Sequence, residues 1–291
     1  MVDQLRDGSR ALRPIVRTPE PPFARPREFA RAAWYDLRRS WALSVGMAKR
    51  DVRAEYRQSM LGAAGVLLPV LAMTAAAVGF RRAGILRVDA QEIPYGLFVL
   101  FGMVLWATFL DALNAPVYGL LAERRLLSRT NAPAEAVVLA RLAQLFFHAG
   151  IRSVLLAAAV VWYGAAVPGT VLVAPLGLAG LVALGTAVGL LLAPINLVYR
   201  DVSKMLAAVT TFWFFFSPVY FPPPADGAIG TIMSLNPVTP LLAGTRALAL
   251  TGRIADPAFA VSVMLATSLL LIVCWAYLRV ALPIAIERAG E

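Results

Sequence analysis

The segment Arg50-Asp51-Val52-Arg53-Ala54-Glu55-Tyr56-Arg57-Gln58-Ser59-Met60-Leu61-Gly62 is dense in charge, mostly positive, and runs without a break into an uncharged apolar stretch, Met60 to Phe80. The charges belong in water or among lipid headgroups, and the apolar stretch belongs in hydrocarbon. The junction therefore marks a membrane boundary, and its positive charge points to the cytoplasmic side. Few architectures satisfy both halves. In lipid, every backbone polar group needs an internal partner, which leaves helices or closed barrels, and about 20 consecutive apolar residues make a spanning helix.

Five further apolar stretches follow: Tyr95–Leu121, Ala136–Tyr163, Val171–Leu192, Met205–Phe221 and Phe259–Val280. With 59% hydrophobic and 15% charged residues, against about 25% charged in an ordinary soluble domain, the chain reads as an integral membrane protein. Its net charge of +10 is not a nucleic-acid footprint, because about half of its Lys and Arg residues precede Met60, beside the membrane, and no recognition module accompanies them. The one cysteine, Cys274, sits in an apolar run and reads as a small buried hydrophobe.

The spacing predicts an all-α integral membrane protein with six transmembrane helices and both termini cytoplasmic. Residues 1–30 read as a disordered, basic, proline-rich cytoplasmic tail without the apolar core of a signal peptide. Residues 31–58 read as an amphipathic interface helix, with Trp34, Leu37, Trp41, Val45, Ala48 and Val52 at helical spacing. A soluble amphipathic helix docked on a partner is the alternative, and the two are compatible. The six-span domain is expected over 59–285. The loops carrying Arg124, Arg125 and Arg129, then Arg200 and Lys204, fall on the N-terminal side; Arg81, Arg82 and Arg87 are the exception to the charge rule. Between the fifth and sixth spans, residues 222–257 read as an outer re-entrant helix pair, Ile229–Leu235 and Pro240–Leu250, each too short to cross. A seventh span or a surface loop are the alternatives.

Chemistry of turnover is not written in this chain. There is no Gly-x-x-x-x-Gly-Lys-Ser/Thr loop, and the two lysines, Lys49 and Lys204, lie in no such context. A single histidine, His148, argues against a metal cluster or a histidine-based triad. We expect no catalytic residues and no metal site. Inside the spans, Arg141, His148 and Arg152 share one helical face, with Asp111 and Asn114 the nearest partners on the preceding span. Such intramembrane charges face a bundle or water. The expectation is that Asp111 compensates His148 or Arg152, either as an ion pair holding two helices or as part of a path for an anion. The aromatic run Phe212-Trp213-Phe214-Phe215-Phe216, then Tyr220-Phe221, reads as an interfacial belt with packing, or as a conduit wall on which sugars stack.

Four separated segments resemble one family. Arg50-Asp51, Tyr56-Arg57-Gln58-Ser59 and Leu61-Gly62 resemble the entry into the first span of type-2 ABC exporter permeases for polysaccharides, the O-antigen, capsule and teichoic-acid export group. Asn196-Leu197-Val198-Tyr199-Arg200-Asp201-Val202 resembles the short cytoplasmic motif before the fifth span, and Ser217-Pro218-Val219-Tyr220-Phe221-Pro222 the end of that span. Leu235-Asn236-Pro237-Val238-Thr239-Pro240 followed by Arg246 resembles the outer re-entrant region. The tail before Pro26 and the stretch Asn131–Glu135 depart from the pattern.

The resemblance implies a homodimer in a bacterial cytoplasmic membrane, with a conduit at the dimer interface and a separate ATP-binding-cassette subunit that binds ATP and Mg. That partner would contact Trp34, Trp41, Arg50, Asp51, Tyr56 and Arg57 on the interface helix, and Glu123, Arg124, Arg125 and Arg129 on the loop. A lipid-linked polysaccharide would be the cargo. Competing readings are an ABC permease for a drug or small lipid, an ion-coupled secondary transporter, which would show repeated halves, and a membrane-embedded transferase, which would want acidic metal-binding loops.

Overall fold

The computed structural model describes residues 26–58, 62–86, 92–130, 132–199, 201–224, 227–253 and 256–288. Most of the expected tail, residues 1–25, therefore lies outside the described residues, as does Arg200. Two units divide the chain, Met1–Tyr35 and Asp36–Glu291. In the first, the described residues are the leading turns of α1 (Pro26–Gln58), with Trp34 and Tyr35 exposed.

Among its described residues the second unit is built of helices joined by turns and loops. The rest of α1 is followed by α2 (Ala63–Arg82), α3 (Tyr95–Ala122), α4 (Arg124–Arg129), α5 (Ala134–Trp162), α6 (Ala174–Val198), α7 (Asp201–Phe215), α8 (Gly227–Leu235), α9 (Val238–Leu250) and α10 (Pro257–Arg288), with a 3₁₀ turn over Gly169–Leu172. Between α1 and α2 stands Gly62 at φ 49°, ψ −127°, backbone that side chains with a Cβ rarely adopt.

At the centre lies α3, packed on α5, α6 and α2, while α10 and α9 lie on α6. Backbones of α3 and α6 come close because Gly185 and Gly189, one helical turn apart, face α3. A Cβ at Gly185 would stand 2.6 Å from the Phe109 carbonyl oxygen, and one at Gly189 would strike the Leu113 carbonyl and the Pro116 ring. Without a hydrophobic drive between helices in lipid, such close backbone packing is what associates them. Phe109, Leu113, Leu181 and Leu184 seal this seam. The outer faces of α2, α5 and α10 leave Leu68, Val154 and Leu265 exposed, as lipid-facing or partner-facing surfaces require.

Among the described residues, five helices are long and apolar enough to cross a membrane: Ala64–Arg82, Tyr95–Ala122, Ala134–Trp162, Ala174–Val198 and Pro257–Arg288. The fifth expected span, Met205–Phe221, is helical only as far as Phe215, and α7 has 15 residues. Ser217-Pro218 accounts for the stop, since the residue before a proline is pushed out of helical conformation. Beyond it the chain stays close to α3. Tyr118 donates to the Ser203 carbonyl at 3.3 Å near the start of α7, and Gly102 faces the Val219 carbonyl beyond its end. Those α3 residues are roughly 24 Å apart at about 1.5 Å per residue.

Short helices α8 and α9 also take their place from polar and small residues. Pro237 caps α9, and Pro240 falls in its first turn, where no N–H is needed. Gly177 and Gly180 of α6 make room for Thr245 and Leu241 of α9.

Candidate functional site

Three polar centres hold the second unit together, and each involves residues that the sequence singles out. The first lies where α1 meets the ends of α3 and α5. Ser40, Ser44, Met47 and Ala48 turn inward, with Met47 and Ala48 packed near Leu120, Leu127 and Val137. These four residues thus make the buried face of α1, while Trp41 and Val45 of the expected apolar stripe stay exposed. Ala48, from that same stripe, belongs to the bundle contact.

Past Ala48 the helix forms a ladder of charge. Arg50 Nη2 donates to Glu123 Oε1 at 2.6 Å and its Nε to Asp51 Oδ1 at 2.9 Å. Hydrogen bonding to Glu123 first, and to Asp51 second, pushes the Arg50 guanidinium above its ordinary value, so it stays cationic throughout the physiological range. Asp51 Oδ2 also lies 3.8 Å from Arg141 Nη1. Glu55 accepts from Gln144 Nε2 at 2.6 Å and lies 3.3 Å from His148 Nε2; that imidazole contact has ion-pair distance but not hydrogen-bond geometry. Tyr56 packs edge-on against Phe147 with centroids 5.5 Å apart. Arg57, Arg125 and Arg129 are exposed and Arg124 is partly so. They leave a basic surface beside the ladder.

One step deeper, Arg152 Nη1 donates to Asp111 Oδ2 at 2.6 Å. Asp111 thus takes Arg152, and His148 goes to Glu55. Helical side chains lean toward the N-terminus, so the long Arg152 side chain reaches back along α5 to the level of Asp111. A cavity of about 290 Å³ lies beneath the ladder, lined by Asp111, Asn114, Tyr118, Arg141, Gln144 and His148. A second clamp joins α1, α5 and α10: Arg279 donates to Glu135 at 2.5 Å and to Asp36 at 2.9 Å. Sequence reading did not single out Arg279, Asp36, Glu55 or Glu135. A buried acid one residue beyond Ala134, at a helix start, was the available signal.

The second centre is Asn196. Fully buried, it donates to the Val117 carbonyl at 3.2 Å and accepts from the Ser203 N–H at 3.1 Å. It ties the α6–α7 reversal to α3. Neighbouring Asp201 makes a surface pair with Lys204 at 3.3 Å.

Asn236 is the third. Its Oδ1 accepts from Trp213 Nε1 at 2.9 Å and from the Val238 N–H at 3.0 Å, and its Nδ2 donates to the Phe216 carbonyl at 2.8 Å and to Ser217 Oγ at 3.0 Å. One amide thereby satisfies the frayed end of α7 and the start of α9. Nearby, Arg246 donates to the Pro218 carbonyl at 2.7 Å. The aromatic run divides around this point. Trp213 packs on Phe109 at 5.2 Å, and Phe214 on Trp106 at 5.6 Å and Tyr220 at 5.0 Å. Phe212, Phe215 and Phe216 face outward. Phe212, Trp213 and Phe216 line an open groove of about 460 Å³ with Ile232, Leu235 and Pro237.

The sequence signature of the family described as ABC-2 type transporter matches residues 45–250. That stretch runs from the charged ladder through the Asn196 and Asn236 nodes to the end of α9. The chain belongs to the ABC-2 type transporter family. Together with five long apolar helices, this makes it a multi-pass membrane protein. The chain is also 26% identical over 222 residues to the O-antigen export system permease protein RfbA of Myxococcus xanthus, covering 74% of this chain and 82% of that protein. Within this ABC-2 type transporter the matched residues include Gly62, Asn196, Asp201, Pro218, Asn236, Pro237, Pro240 and Arg246, whereas Trp34 and Trp41 precede them.

Proposed function

We propose that this chain is the transmembrane subunit of an ATP-driven exporter that moves a lipid-linked polysaccharide across the bacterial cytoplasmic membrane. The observation that carries the cargo class is the similarity to an O-antigen export permease over 82% of that protein's length. ATP and Mg would bind a separate ATP-binding-cassette subunit, and two copies of each subunit would form the exporter. That partner would grip the exposed parts of α1, including Trp34 and Trp41, and the basic surface of Arg57, Arg124, Arg125 and Arg129. The Arg50–Glu123 bond would pass its movement to α3.

In this reading α7 and its extension to Phe221 form the fifth of six crossings, with both termini cytoplasmic. The path of residues 203–219 along roughly 24 Å of α3, most of the about 30 Å of hydrocarbon, supports it. The pair α8–α9 would re-enter from the outside, supported by the seating of α9 against Gly177 and Gly180 near the start of α6. The outward aromatics Phe212, Phe215 and Phe216 would face the conduit.

Coexpression of the chain with its candidate ATPase subunit, reconstitution and assay of ATP-dependent glycan transfer into the vesicle lumen test the proposal. The expected result is copurification and transfer that stops when ATP is withheld. Copurification with transport of small drugs or simple lipids, and none of glycans, would reassign the cargo. Failure to copurify would overturn the subunit reading.

A further inference from the structure

Arg246 of α9 is 5% exposed, yet no carboxylate lies within ion-pair distance of it among the described residues. One face of its guanidinium covers the Phe98 ring, 3.7 Å from the centroid. Its Nη2 is held by the Pro218 carbonyl at 2.7 Å, and its Nε has no hydrogen-bond partner. The position is built rather than accidental. Gly102 of α3 opens the space, since a Cβ there would stand 2.5 Å from Nη2.

The guanidinium borders a cavity of about 390 Å³ whose walls include Ile93, Phe98, Pro222, Ala243 and Ala247. Glu92 stands at its edge but is engaged with Arg253 at 3.0 Å. The start of a helix adds partial positive charge nearby. Helix α3 starts at Tyr95 without a side-chain cap, so the positive end of its dipole is unscreened by any capping side chain. Arg81 stacks over the Tyr95 ring at 4.7 Å, and Arg82 beside it is exposed. These two are arginines that the charge rule for cytoplasmic loops leaves unexplained.

We propose that this cavity binds a phosphate group, presented by the headgroup of a membrane lipid. A buried guanidinium without a counter-charge is costly until an anion completes it, and its planar fork matches phosphate oxygens. Walls of proline, alanine, isoleucine and phenylalanine suit the glycerol and first methylenes of a lipid better than a hydrated free ion. The site is independent of what the protein exports. It stands at the end of α3 opposite the charged ladder.

Thermal unfolding of the full chain in maltoside detergent tests the proposal, with titration of dioleoylphosphatidylglycerol, dioleoylglycerol or inorganic phosphate. The comparison variants are Arg246→Gln, which removes the cation, and Ala243→Leu, which fills the cavity while leaving Arg246 in place. The phosphate-bearing lipid should raise the melting temperature of the unaltered chain saturably, and dioleoylglycerol should not. Both variants should raise the half-saturating concentration by about ten-fold or more, the scale of one charge-assisted hydrogen bond. If inorganic phosphate alone gives the whole shift, phosphate recognition stands and the lipid source is overturned. Equal shifts with both lipids, or unchanged half-saturation in Ala243→Leu, leave Arg246 a purely structural tie and overturn the site. Should Arg246→Gln not fold, the two-lipid comparison and Ala243→Leu decide.

Discussion

Arg152 reaches from the middle of α5 to donate to Asp111 of α3 at 2.6 Å, although 41 residues separate them and the side chains differ in burial. Arg152 retains 8% of its side-chain surface and Asp111 33%. The pair is therefore asymmetric, with a desolvated cation held by a carboxylate that still touches the cavity beneath the charged ladder.

Removing the carboxylate should leave that cation without its partner. Asp111→Asn is expected to destabilise the protein by about 1–3 kcal/mol, below the fully buried limit because Asp111 is partly hydrated. The double variant Asp111→Asn with Arg152→Met should recover part of the loss. Thermal unfolding of the single and double variants in detergent checks this through the coupling energy; strict additivity would contradict the pairing.

Close approach of α3 and α6 rests on an absent side chain. Gly189→Leu would drive carbon into the Leu113 carbonyl and Pro116, and is expected to cost about 3 kcal/mol or more, at the upper end of overpacking. Gly79→Ala, where nothing lies within 4 Å of the added Cβ, should be nearly silent. Yield of folded protein and melting temperature distinguish the two.

Asn236 satisfies groups from two broken helix ends at once. Asn236→Ala orphans the Trp213 indole N–H and the Val238 N–H, and should destabilise by about 2–4 kcal/mol. Hydrogen exchange of residues 213–220 should accelerate before that of α3. Uniform acceleration across the bundle would contradict a local role.

The Arg50–Glu123 bond should matter more to coupling than to stability. Arg50 keeps 58% of its side-chain surface, so Glu123→Gln should change stability by less than about 1 kcal/mol. In the assembled exporter, Arg50→Glu should reduce ATP-dependent transfer several-fold, and adding Glu123→Arg should restore a good part of it. Transport normalised to ATPase rate is the readout, and an unaltered ratio in Arg50→Glu would remove this bond from the coupling path.

Long apolar stretches made the helical membrane class and five helices long enough to cross a membrane legible. Hydrocarbon leaves little choice for an uncharged segment of that length. Asp111, Arg141, His148 and Arg152 were legible as residues needing partners, because a charge in an apolar run stands out. Which partner each takes was not, and Asp36, Glu55 and Glu135 were not singled out as partners. Acids at helix ends look like ordinary solvated residues until another helix is laid against them.

By itself, then, the sequence determined what must be buried in lipid, where the basic boundary stands, and which residue types could not remain alone. Tertiary structure decided the rest. It set Arg152 rather than His148 on Asp111, turned Ser40, Ser44, Met47 and Ala48 of α1 inward instead of Trp41, ended α7 at Phe215, and left Arg246 buried without a carboxylate among the described residues. Those outcomes depend on distances between helices remote in sequence. The reach of a side chain and the close approach permitted by a glycine are properties of two surfaces together, which the periodicity of either helix alone does not contain.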